Sequence, residues 1–180
     1  MRIAILALQG AFVEHQQMLS KLGIDSFLVR NLNDWSQPKD ALIIPGGEST
    51  AMTRIIKDEE LYEPVRAAIL AGLPVFGTCA GLIMLDGDHL NTMDIKVKRN
   101  AYGRQLGSFE TTDTFEGIGE VPMTFIRAPY IESVGEKAKI LSVVDNHIVA
   151  ARQDKQLVCA FHPELTEDTR IHQYFISMIG

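Results

Sequence analysis

The feature that most constrains this fold is a glycine-flanked cysteine between a short apolar strand and an apolar helix. Cys79 is the centre of a Gly-Thr-Cys-Ala-Gly sequence, after a predicted strand at Val75–Gly77 and before a predicted helix at Leu82–Leu85. This is the Gly-x-nucleophile-x-Gly spacing of a nucleophile elbow, with Cys in place of Ser. The chain turns sharply there, so a bulky flanking side chain would collide. The pattern therefore predicts an exposed thiol at the carboxyl edge of a sheet, beside a helix N-terminus that favours the thiolate.

The first half of the chain alternates strand and helix patterns at short spacing. Continuous apolar runs predict buried strands, and apolar residues in helical register, such as Leu61, Val65 and Ile69, predict helices between them. We expect strands at Arg2–Ala7, Ser26–Val29 and Ala41–Ile44. The first helix is expected at Phe12–Leu22, with Gly23 as its C-terminal cap. A second helix is expected to begin at a Ser49 or Thr50 cap and run towards Lys57, and a third to lie around Leu61–Ile69. This alternation is typical of a parallel sheet covered on both faces by helices.

The second half is richer in strands joined by loops. We expect strands at Asp94–Val97, Ser108–Thr112, Thr124–Ile126, His147–Ala151 and Leu157–Phe161, and a final helix at Thr166–Ile179. The length of 180 residues is close to the usual domain size of about 150, and the sequence contains no repeat or linker. We therefore predict one three-layer α/β domain over residues 1–180, with a mostly parallel central sheet, flanking helices and a mixed-sheet extension.

Charge and cysteine content exclude several classes of function. With 17 Lys and Arg against 23 Asp and Glu, the net charge of −6 provides no general attraction to nucleic acid or anionic membranes. Two cysteines are too few for a disulfide framework and lack the spacing of a zinc site. The uncharged stretch Ala67–Leu85 is broken by Gly72, Pro74 and Gly77, which argues against a membrane span. Because the first residues also lack a signal-peptide pattern, we expect a cytoplasmic protein.

A histidine and an acid near the end of the chain form a candidate catalytic set with Cys79. The strand expected to end at Phe161 leads into His162, and Glu164 follows two positions later. A histidine activates a cysteine as general base, and an acid orients that histidine and stabilises its charged form. Strand ends that are distant in sequence meet at one edge of a parallel sheet, so the separation of Cys79 and His162 is no obstacle. A buried cysteine in a turn, a plain loop histidine and a surface acid are the alternative interpretation.

A second glycine-rich turn, Pro45-Gly46-Gly47, follows another predicted strand. Adjacent glycines allow a peptide to present its N–H with no side chain in the way. We therefore expect the N–H groups of Gly47 and Ala80 to form an oxyanion hole. Pro-Gly-Gly is also common in ordinary turns, and the Walker spacing of a phosphate loop is absent.

Several other residues have weaker signals. Three arginines in loop or strand-end positions are candidates for binding a carboxylate: Arg99, Arg104 and Arg127. Cys159 lies within an apolar strand and is expected to be an unreactive core residue. The remaining histidines lack the spacing of a metal site and are expected to be solvated or structural: His15, His89, His147 and His172.

Taken with these motifs, the chain resembles the glutaminase subunits of pyridoxal 5′-phosphate synthase, the PdxT family of class I glutamine amidotransferases. The resemblance extends over nearly the whole chain. The matching segments are Leu8–Ala11 with Glu14 and His15, Pro45–Thr50, Gly77–Leu82, Arg99–Gln105, Phe125–Pro129 and His162–Thr166. Many class I amidotransferases share the elbow and the His-Pro-Glu sequence, whereas the arginine-containing segments single out this branch.

The resemblance implies a flavodoxin-like class I amidotransferase fold with a triad of Cys79, His162 and Glu164, and without metal or organic cofactor. It also implies that L-glutamine is bound by Gly47, Glu48, Ser49, Arg99, Ile126 and Arg127. The implied activity is hydrolysis of glutamine to glutamate and ammonia through a glutamyl thioester. The ammonia would pass to a PdxS-type synthase subunit in a large hetero-oligomer, and docking of that subunit would order the oxyanion hole.

Two stretches depart from the family pattern. Met84–Leu90 is several residues shorter than is usual between the elbow helix and the next strand, which affects the lip of the predicted site. Lys98 stands where the family more often has Glu. Neither departure changes a residue of the predicted triad.

Two other functions are compatible with the motifs. A stand-alone cysteine hydrolase or chaperone-like member of the elbow-bearing α/β proteins would have no need of Arg99 or Arg127. A non-catalytic binding subunit would keep the pocket, although the intact Cys79, His162 and Glu164 argue against it. Within the amidotransferases, a subunit that serves a different synthase is a further alternative.

Overall fold

The apolar runs of the first half form parallel strands in a computed structural model, which describes residues 1–99 and 108–180. These strands are β1 Arg2–Leu6, β2 Asp25–Val29, β3 Ala41–Ile44 and β4 Val75–Thr78, all within two residues of their predicted bounds. Strands β3 and β4 are buried along their whole length, as is typical of the interior of a parallel sheet.

The later strands extend this sheet, all but the first of them to join it in the antiparallel sense. They are β5 Ile95–Lys98, β8 Tyr130–Val134, β9 Lys139–Val144, β10 His147–Gln153 and β11 Gln156–Cys159, while β6 Ser108–Phe115 and β7 Gly119–Ile126 form a separate hairpin. The sheet order is β2-β1-β3-β4-β11-β10-β8-β5, with β9 paired to β10. The first five strands of that order are parallel and the others antiparallel. This confirms the predicted α/β class with a mixed-sheet extension.

Six helices accompany the strands among the described residues. They are α1 Phe12–Lys21, α2 Leu32–Trp35, α3 Ser49–Asp58, α4 Tyr62–Leu70, α5 Ala80–Leu85 and α6 Arg170–Ile179. Gly23 closes α1 as predicted, with φ +71° and its N–H donating to the carbonyl of Ser20 at 3.0 Å. The N–H of Ile24 donates to Leu19 at 2.9 Å, which completes a Schellman motif.

Two predicted helix starts are wrong. Helix α3 is capped by Glu48 rather than by Ser49 or Thr50, because the Glu48 carboxylate accepts the N–H groups of Thr50 and Ala51 at 3.0 and 2.7 Å. The last helix begins at Arg170 rather than Thr166. Residues Pro163–Leu165 form a separate 3₁₀ turn, and the Asp168 carboxylate accepts the N–H of Arg170 at 2.9 Å. In both cases an acidic side chain selects the start of the helix.

Three elements, α2, β8 and β9, have no counterpart among the predicted ones, and both strands of the hairpin are longer than predicted. In β8 one residue of five is buried, and in β9 the buried residues are unevenly spaced, so neither strand alternates cleanly between buried and exposed positions. The hairpin packs on the rest of the fold through aromatic rings: Phe125 meets Phe161 at 5.6 Å, and Phe115 meets Tyr174 of α6 at the same separation. Across the described ranges, no helix is long and apolar enough to cross a membrane.

Candidate active site

Cys79 occupies the strained turn that its flanking glycines predict. Its backbone has φ 52° and ψ −105°, between the end of β4 and the first residue of α5. A Cβ on Gly81 would lie 2.0 Å from the carbonyl oxygen of Ile44, and one on Gly77 would lie 2.5 Å from that of Gly81. Only glycine fits at either position, so the tight packing of β4, α5 and β3 holds the cysteine in this conformation.

His162 follows β11, the strand that pairs with β4, and is fixed from both sides. Its backbone N–H donates to the carbonyl of Thr124 in β7 at 2.8 Å. Its ring Nδ1 lies 2.6 Å from Oε1 of Glu164, whose side chain is fully buried in the 3₁₀ turn. This is the short, charge-assisted contact expected between an orienting acid and a catalytic histidine.

The charge state of His162 follows from its neighbours. Burial lowers the pKa of His162, but hydrogen bonds to Cys79 and Glu164 and the negative charges of both outweigh it and raise the value from 6.5 to about 10. Since Nδ1 faces Glu164, Nε2 is left for the thiol. The Cys79 sulfur also lies 3.9 Å from the carbonyl oxygen of Ile126. At neutral pH the histidine therefore carries the proton that an acyl-transfer reaction needs.

The Pro-Gly-Gly turn after β3 closes over the cysteine and histidine. A Cβ on Gly46 would lie 2.4 Å from Cε1 of His162 and 3.3 Å from Cβ of Cys79, so glycine is required there. The carbonyl of Gly46 accepts the N–H of Ala11 at 2.9 Å. Gly10, with φ +95°, makes room for that carbonyl, since a Cβ would lie 1.8 Å from the oxygen.

A pocket of about 450 Å³ opens above these groups at the carboxyl ends of β1, β3, β4 and β11. It lies beside the point where the strand order reverses around β1, the usual binding position in open α/β sheets. Its lining includes all the residues predicted for the triad, the oxyanion hole and glutamine binding except Glu164, which lies behind His162. These lining residues are Gly47, Glu48, Ser49, Cys79, Ala80, Arg99, Ile126, Arg127 and His162. The structure thus brings the sequence-predicted residues together at one surface.

The two predicted oxyanion donors are at this surface. Ala80 is the first residue of α5, so its N–H has no acceptor within its own helix and is available to a ligand. Gly47 belongs to the turn on the opposite wall. The positive end of α5 adds to the attraction for a negative oxygen.

The charged residues of the rim have defined partners. The N–H groups of Ala51 and Thr50 lower the pKa of the Glu48 carboxyl, and Arg99 lies 3.6 Å from the same carboxylate. Arg99 also donates to the Thr50 hydroxyl at 3.1 Å. The predicted candidate Arg104 and the rest of the matching segment, 100–105, lie outside the described residues.

Gln9 is a pocket residue outside the set of predicted site residues. Its Oε1 accepts the N–H of Glu48 at 2.6 Å, and a Cβ on Gly47 would lie 2.2 Å from that oxygen. Gln9 thus ties the end of β1 to the glycine turn. Its signal in the sequence is its place in the matching segment Leu8–Ala11, since an isolated glutamine has no spacing rule.

The remaining cysteine and histidines are absent from the lining of this pocket. Burial first, and then the negative charge of Glu164, raise the pKa of Cys159 well above its ordinary range. His15 and His172 are wholly buried, and His89 contacts Asp86 at 2.7 Å. Within residues 1–99 and 108–180, no group of three His, Cys, Asp or Glu side chains is arranged to hold a metal ion.

Comparison with known proteins identifies the family. The SNO glutamine amidotransferase family matches residues 5–180. The chain belongs to the SNO glutamine amidotransferase family. It is 56% identical over 188 aligned positions to "Pyridoxal 5′-phosphate synthase subunit PdxT" of Streptococcus pneumoniae serotype 2 strain D39, covering 99% of this chain and 97% of that protein. The PdxT of S. pneumoniae serotype 4 is similar to the same extent.

Solved structures share the architecture of this chain. A crystal structure of a glutamine amidotransferase superposes with a TM-score of 0.93 at 40% identity, covering 99% of this chain and 98% of that one. A glutamine amidotransferase from Thermotoga maritima matches with a TM-score of 0.67 at 12% identity, covering 98% of this chain and 83% of that one. The second likeness concerns the fold alone. The predicted class I amidotransferase-like fold and the stated resemblance are confirmed.

Proposed function

We propose that this chain is the glutaminase subunit of a pyridoxal 5′-phosphate synthase, hydrolysing L-glutamine to L-glutamate and ammonia. The observation that carries the proposal is the arrangement of the pocket: Glu164 holds the His162 ring at 2.6 Å beside Cys79, and Arg99 and Arg127 belong to the same lining. The identity of 56% with PdxT proteins over nearly the whole chain supports the same activity.

In the first half of the reaction, the Cys79 thiolate attacks the side-chain amide carbon of glutamine. The carbonyl oxygen becomes an oxyanion, which the N–H groups of Gly47 and Ala80 stabilise. Breaking the C–N bond expels the nitrogen as ammonia, with the proton supplied by the His162 imidazolium. A γ-glutamyl thioester on Cys79 and a neutral His162 remain.

In the second half, water hydrolyses this thioester. Neutral His162 takes a proton from the water as it attacks the thioester carbon, and the same oxyanion donors stabilise the second tetrahedral intermediate. Collapse of that intermediate releases glutamate and restores the Cys79 thiolate and the His162 imidazolium. Glu164 keeps Nδ1 of His162 protonated throughout, so Nε2 performs each proton transfer.

Charge at the pocket rim suits the free end of the substrate. Glutamine carries an α-carboxylate and an α-ammonium group, and Arg99 and Arg127 are cations suited to the carboxylate. Glu48, Ser49 and the carbonyl of Ile126 supply acceptors. We propose that these residues, with Gly47, select glutamine over simple amides.

The proposal includes a partner. Ammonia released in the pocket would pass to a PdxS-type synthase subunit, for use with ribose 5-phosphate and glyceraldehyde 3-phosphate. Docking of that subunit would reorient the Gly46–Gly47 peptide, because glycine accepts either orientation at little steric cost. The reorientation must break the hydrogen bond from Ala11 to the Gly46 carbonyl. A reducing, cytoplasmic setting accords with a reaction that depends on a free thiolate.

The decisive experiment measures glutamate release from glutamine by the purified protein, with and without the cognate synthase subunit. Cys79→Ala serves as the blank. We expect activity that rises sharply with the synthase and disappears in the blank. Equal turnover with and without the synthase would overturn the gating, whereas no turnover in either sample would overturn the glutaminase.

The rival hydrolase function is tested at the arginines. We expect Arg99→Ala and Arg127→Ala each to raise KM for glutamine by about 10- to 100-fold, the usual contribution of a hydrogen bond to a charged group. Lys96→Ala, at a cation of β5 that is absent from the pocket lining, is the matched control. Unchanged KM in both arginine variants would favour a hydrolase that does not recognise an amino acid.

A further inference from the structure

A second layer of polar side chains lies beneath the predicted triad, in the hydrophobic core. It consists of His15 of α1, Thr78 of β4 and His172 of α6, each with no exposed surface. Nε2 of His15 lies 3.2 Å from Oγ1 of Thr78 and 3.5 Å from Oε2 of Glu164. Nδ1 of His15 lies 2.9 Å from Nε2 of His172. A continuous path of polar contacts therefore runs from His172 through His15 and Glu164 to His162.

Glu164 has a carboxylate oxygen that faces this buried layer and needs a hydrogen-bond donor. One of its oxygens, Oε1, is taken by His162, while Oε2 is buried and has no well-aligned hydrogen bond among the described residues. A buried carboxylate oxygen is costly unless a donor faces it. Nε2 of His15 is placed to face both this oxygen and the Thr78 hydroxyl, so the position of the His15 proton matters.

Both histidines of the buried layer are neutral, so each carries one ring proton. Burial lowers the pKa of His172 to about 3. Burial, followed by the positive charges that His172 and His162 could carry, lowers the pKa of His15 well below its ordinary value. The titratable groups that face this layer are Glu164 and His162 from the loop after β11, with Cys159 of β11 close to Glu164.

The contacts select one tautomer for each ring. If His15 carried its proton on Nδ1, its Nε2 lone pair would face the Glu164 carboxylate, and His172 would have to carry its own proton on Nδ1. Nδ1 of His172 has no partner among the described residues, so that proton would be a buried orphan donor. With both protons on Nε2, His172 donates to His15, and His15 donates towards Glu164 and Thr78. Only a lone pair on His172 is then left unpaired, which is the less costly defect.

We propose that His15 is a positioning residue of the active site: its Nε2–H faces the second oxygen of Glu164, and His172 holds His15 in that tautomer. This inference rests on the proposed glutaminase, in which Glu164 orients His162. The buried layer limits rotation of the Glu164 carboxylate, and a fixed carboxylate keeps the His162 ring aimed at Cys79. His15 touches neither substrate nor nucleophile, so it acts through Glu164.

The first test compares substitutions at His15 by steady-state kinetics over a range of pH, in the presence of the synthase subunit. We expect His15→Leu to lower kcat about 10- to 100-fold with little change in KM, because a misplaced base costs up to about 10²-fold. The alkaline limb of kcat/KM should move to lower pH, since a mobile Glu164 stabilises the His162 imidazolium less. His15→Gln, whose amide can still donate towards Glu164, should recover most of the loss.

Phe76→Leu is the matched control. Phe76 is fully buried and its ring contacts His15, His172 and Phe175, but it makes no hydrogen bond to the triad. It should lower the thermal midpoint while leaving the alkaline limb in place. A His15→Leu profile that matches Phe76→Leu would show a purely structural role and overturn the proposal.

The second test does not depend on activity. In ¹⁵N NMR spectra of the wild-type protein, we expect His15 and His172 to be neutral Nε2–H tautomers between pH 6 and 8. An Nδ1–H signal for His15, or a titration of either ring in that range, would overturn the proposal even if the enzyme is a glutaminase. If glutamine is not hydrolysed but both rings show the expected tautomer, the glutaminase fails while the assigned geometry stands. If His15→Leu does not fold, His15→Gln and these spectra still decide.

Discussion

The pocket and the core beneath it each contain a cysteine and a histidine, and the two histidines have pKa values shifted in opposite directions. Cys79 and His162 line the pocket, and Cys159 and His172 lie below, yet all four have 6% or less of their surface exposed. The pKa of His162 is about 10 and that of His172 about 3. Burial alone therefore does not decide the charge state of a histidine here.

Partners decide it. Burial lowers the pKa of both rings, but His162 has a carboxylate and a thiol as hydrogen-bond partners, whereas the partner of His172 is the neutral ring of His15. The two cysteines differ in backbone conformation and in surroundings. Cys79 lies in a turn with positive φ at a helix N-terminus. Cys159 lies in β11, and its thiol donates a hydrogen bond to the carbonyl of Phe161. Of the two histidines, the ring with the raised pKa is the one that lines the pocket.

The strongest test of this comparison replaces each of the two cysteines separately by alanine. Cys79→Ala should lower glutamine turnover by about 10⁴-fold or more, because it removes the nucleophile. Cys159→Ala should keep turnover and lose on the order of 1 kcal/mol of stability from a small cavity. Glutamate release and urea unfolding measure both. Comparable turnover in the two variants would refute the assignment of the nucleophile.

Next in size is the effect of His162→Asn. Loss of the general acid and base should reduce kcat by about 10²–10⁴-fold while glutamine still binds, since the rim residues are unchanged. Isothermal calorimetry with glutamine separates binding from turnover. His89→Asn, whose ring contacts Asp86 away from the pocket lining, provides the control and should retain wild-type kcat. Substantial turnover by His162→Asn would contradict the triad.

The two layers should affect stability at opposite ends of the pH range. The folded-state pKa of His162 is raised, so the charged ring stabilises the folded state. This contribution to the free energy of unfolding is fully present below pH 6.5 and is lost as pH rises through about 10. The folded-state pKa of His172 is lowered to about 3. As pH falls below 6.5, His172 therefore takes up a proton in the unfolded chain but not in the folded chain. Stability therefore decreases towards acid.

Each unit of pKa difference corresponds to about 1.4 kcal/mol, which urea midpoints at a series of pH values resolve. His162→Asn should flatten the alkaline decrease, and His172→Leu should flatten part of the acid decrease. If either variant retained the wild-type slope on its own side, the charge assignment of that layer would be wrong.

The smallest expected effect concerns a glycine remote from both layers. Gly23 has φ +71°, and apart from its chain neighbours no heavy atom lies within 4 Å of the place a Cβ would take, so alanine meets strain but no collision. Gly23→Ala should lower the free energy of unfolding by about 1 kcal/mol and leave kcat unchanged. Gly46→Ala would instead place its Cβ 2.4 Å from the His162 ring and should lower kcat. Equal kinetic effects of the two variants would contradict the role of the glycine turn in shaping the site.

Local rules predicted the elements whose causes are local. The glycine pattern around Cys79 predicted the elbow, and Gly23 the end of α1, because steric limits on a few adjacent residues determine both. Continuous apolar runs located β1, β3 and β4 within two residues. The sequence context offered three arginines as carboxylate-binding candidates, but the predicted glutamine-binding set came from resemblance to a family, since spacing alone does not define a carboxylate site.

Where partners are distant in sequence, local rules failed. Nothing near Gln9 predicts that its side chain will hold the N–H of Glu48, 39 positions away. His15 and His172, 157 positions apart, gain a role only when α1 and α6 pack against the same strand.

The sequence by itself determined the sharp turn at Cys79, the close approach allowed by the glycines and the places of β1 to β4, because these follow from steric limits and apolar runs within a few residues. Only the tertiary structure decided which histidine has the raised pKa and which side chains line the pocket. Electrostatic and packing energies depend on neighbours in space, and the chain brings those neighbours together only when it folds.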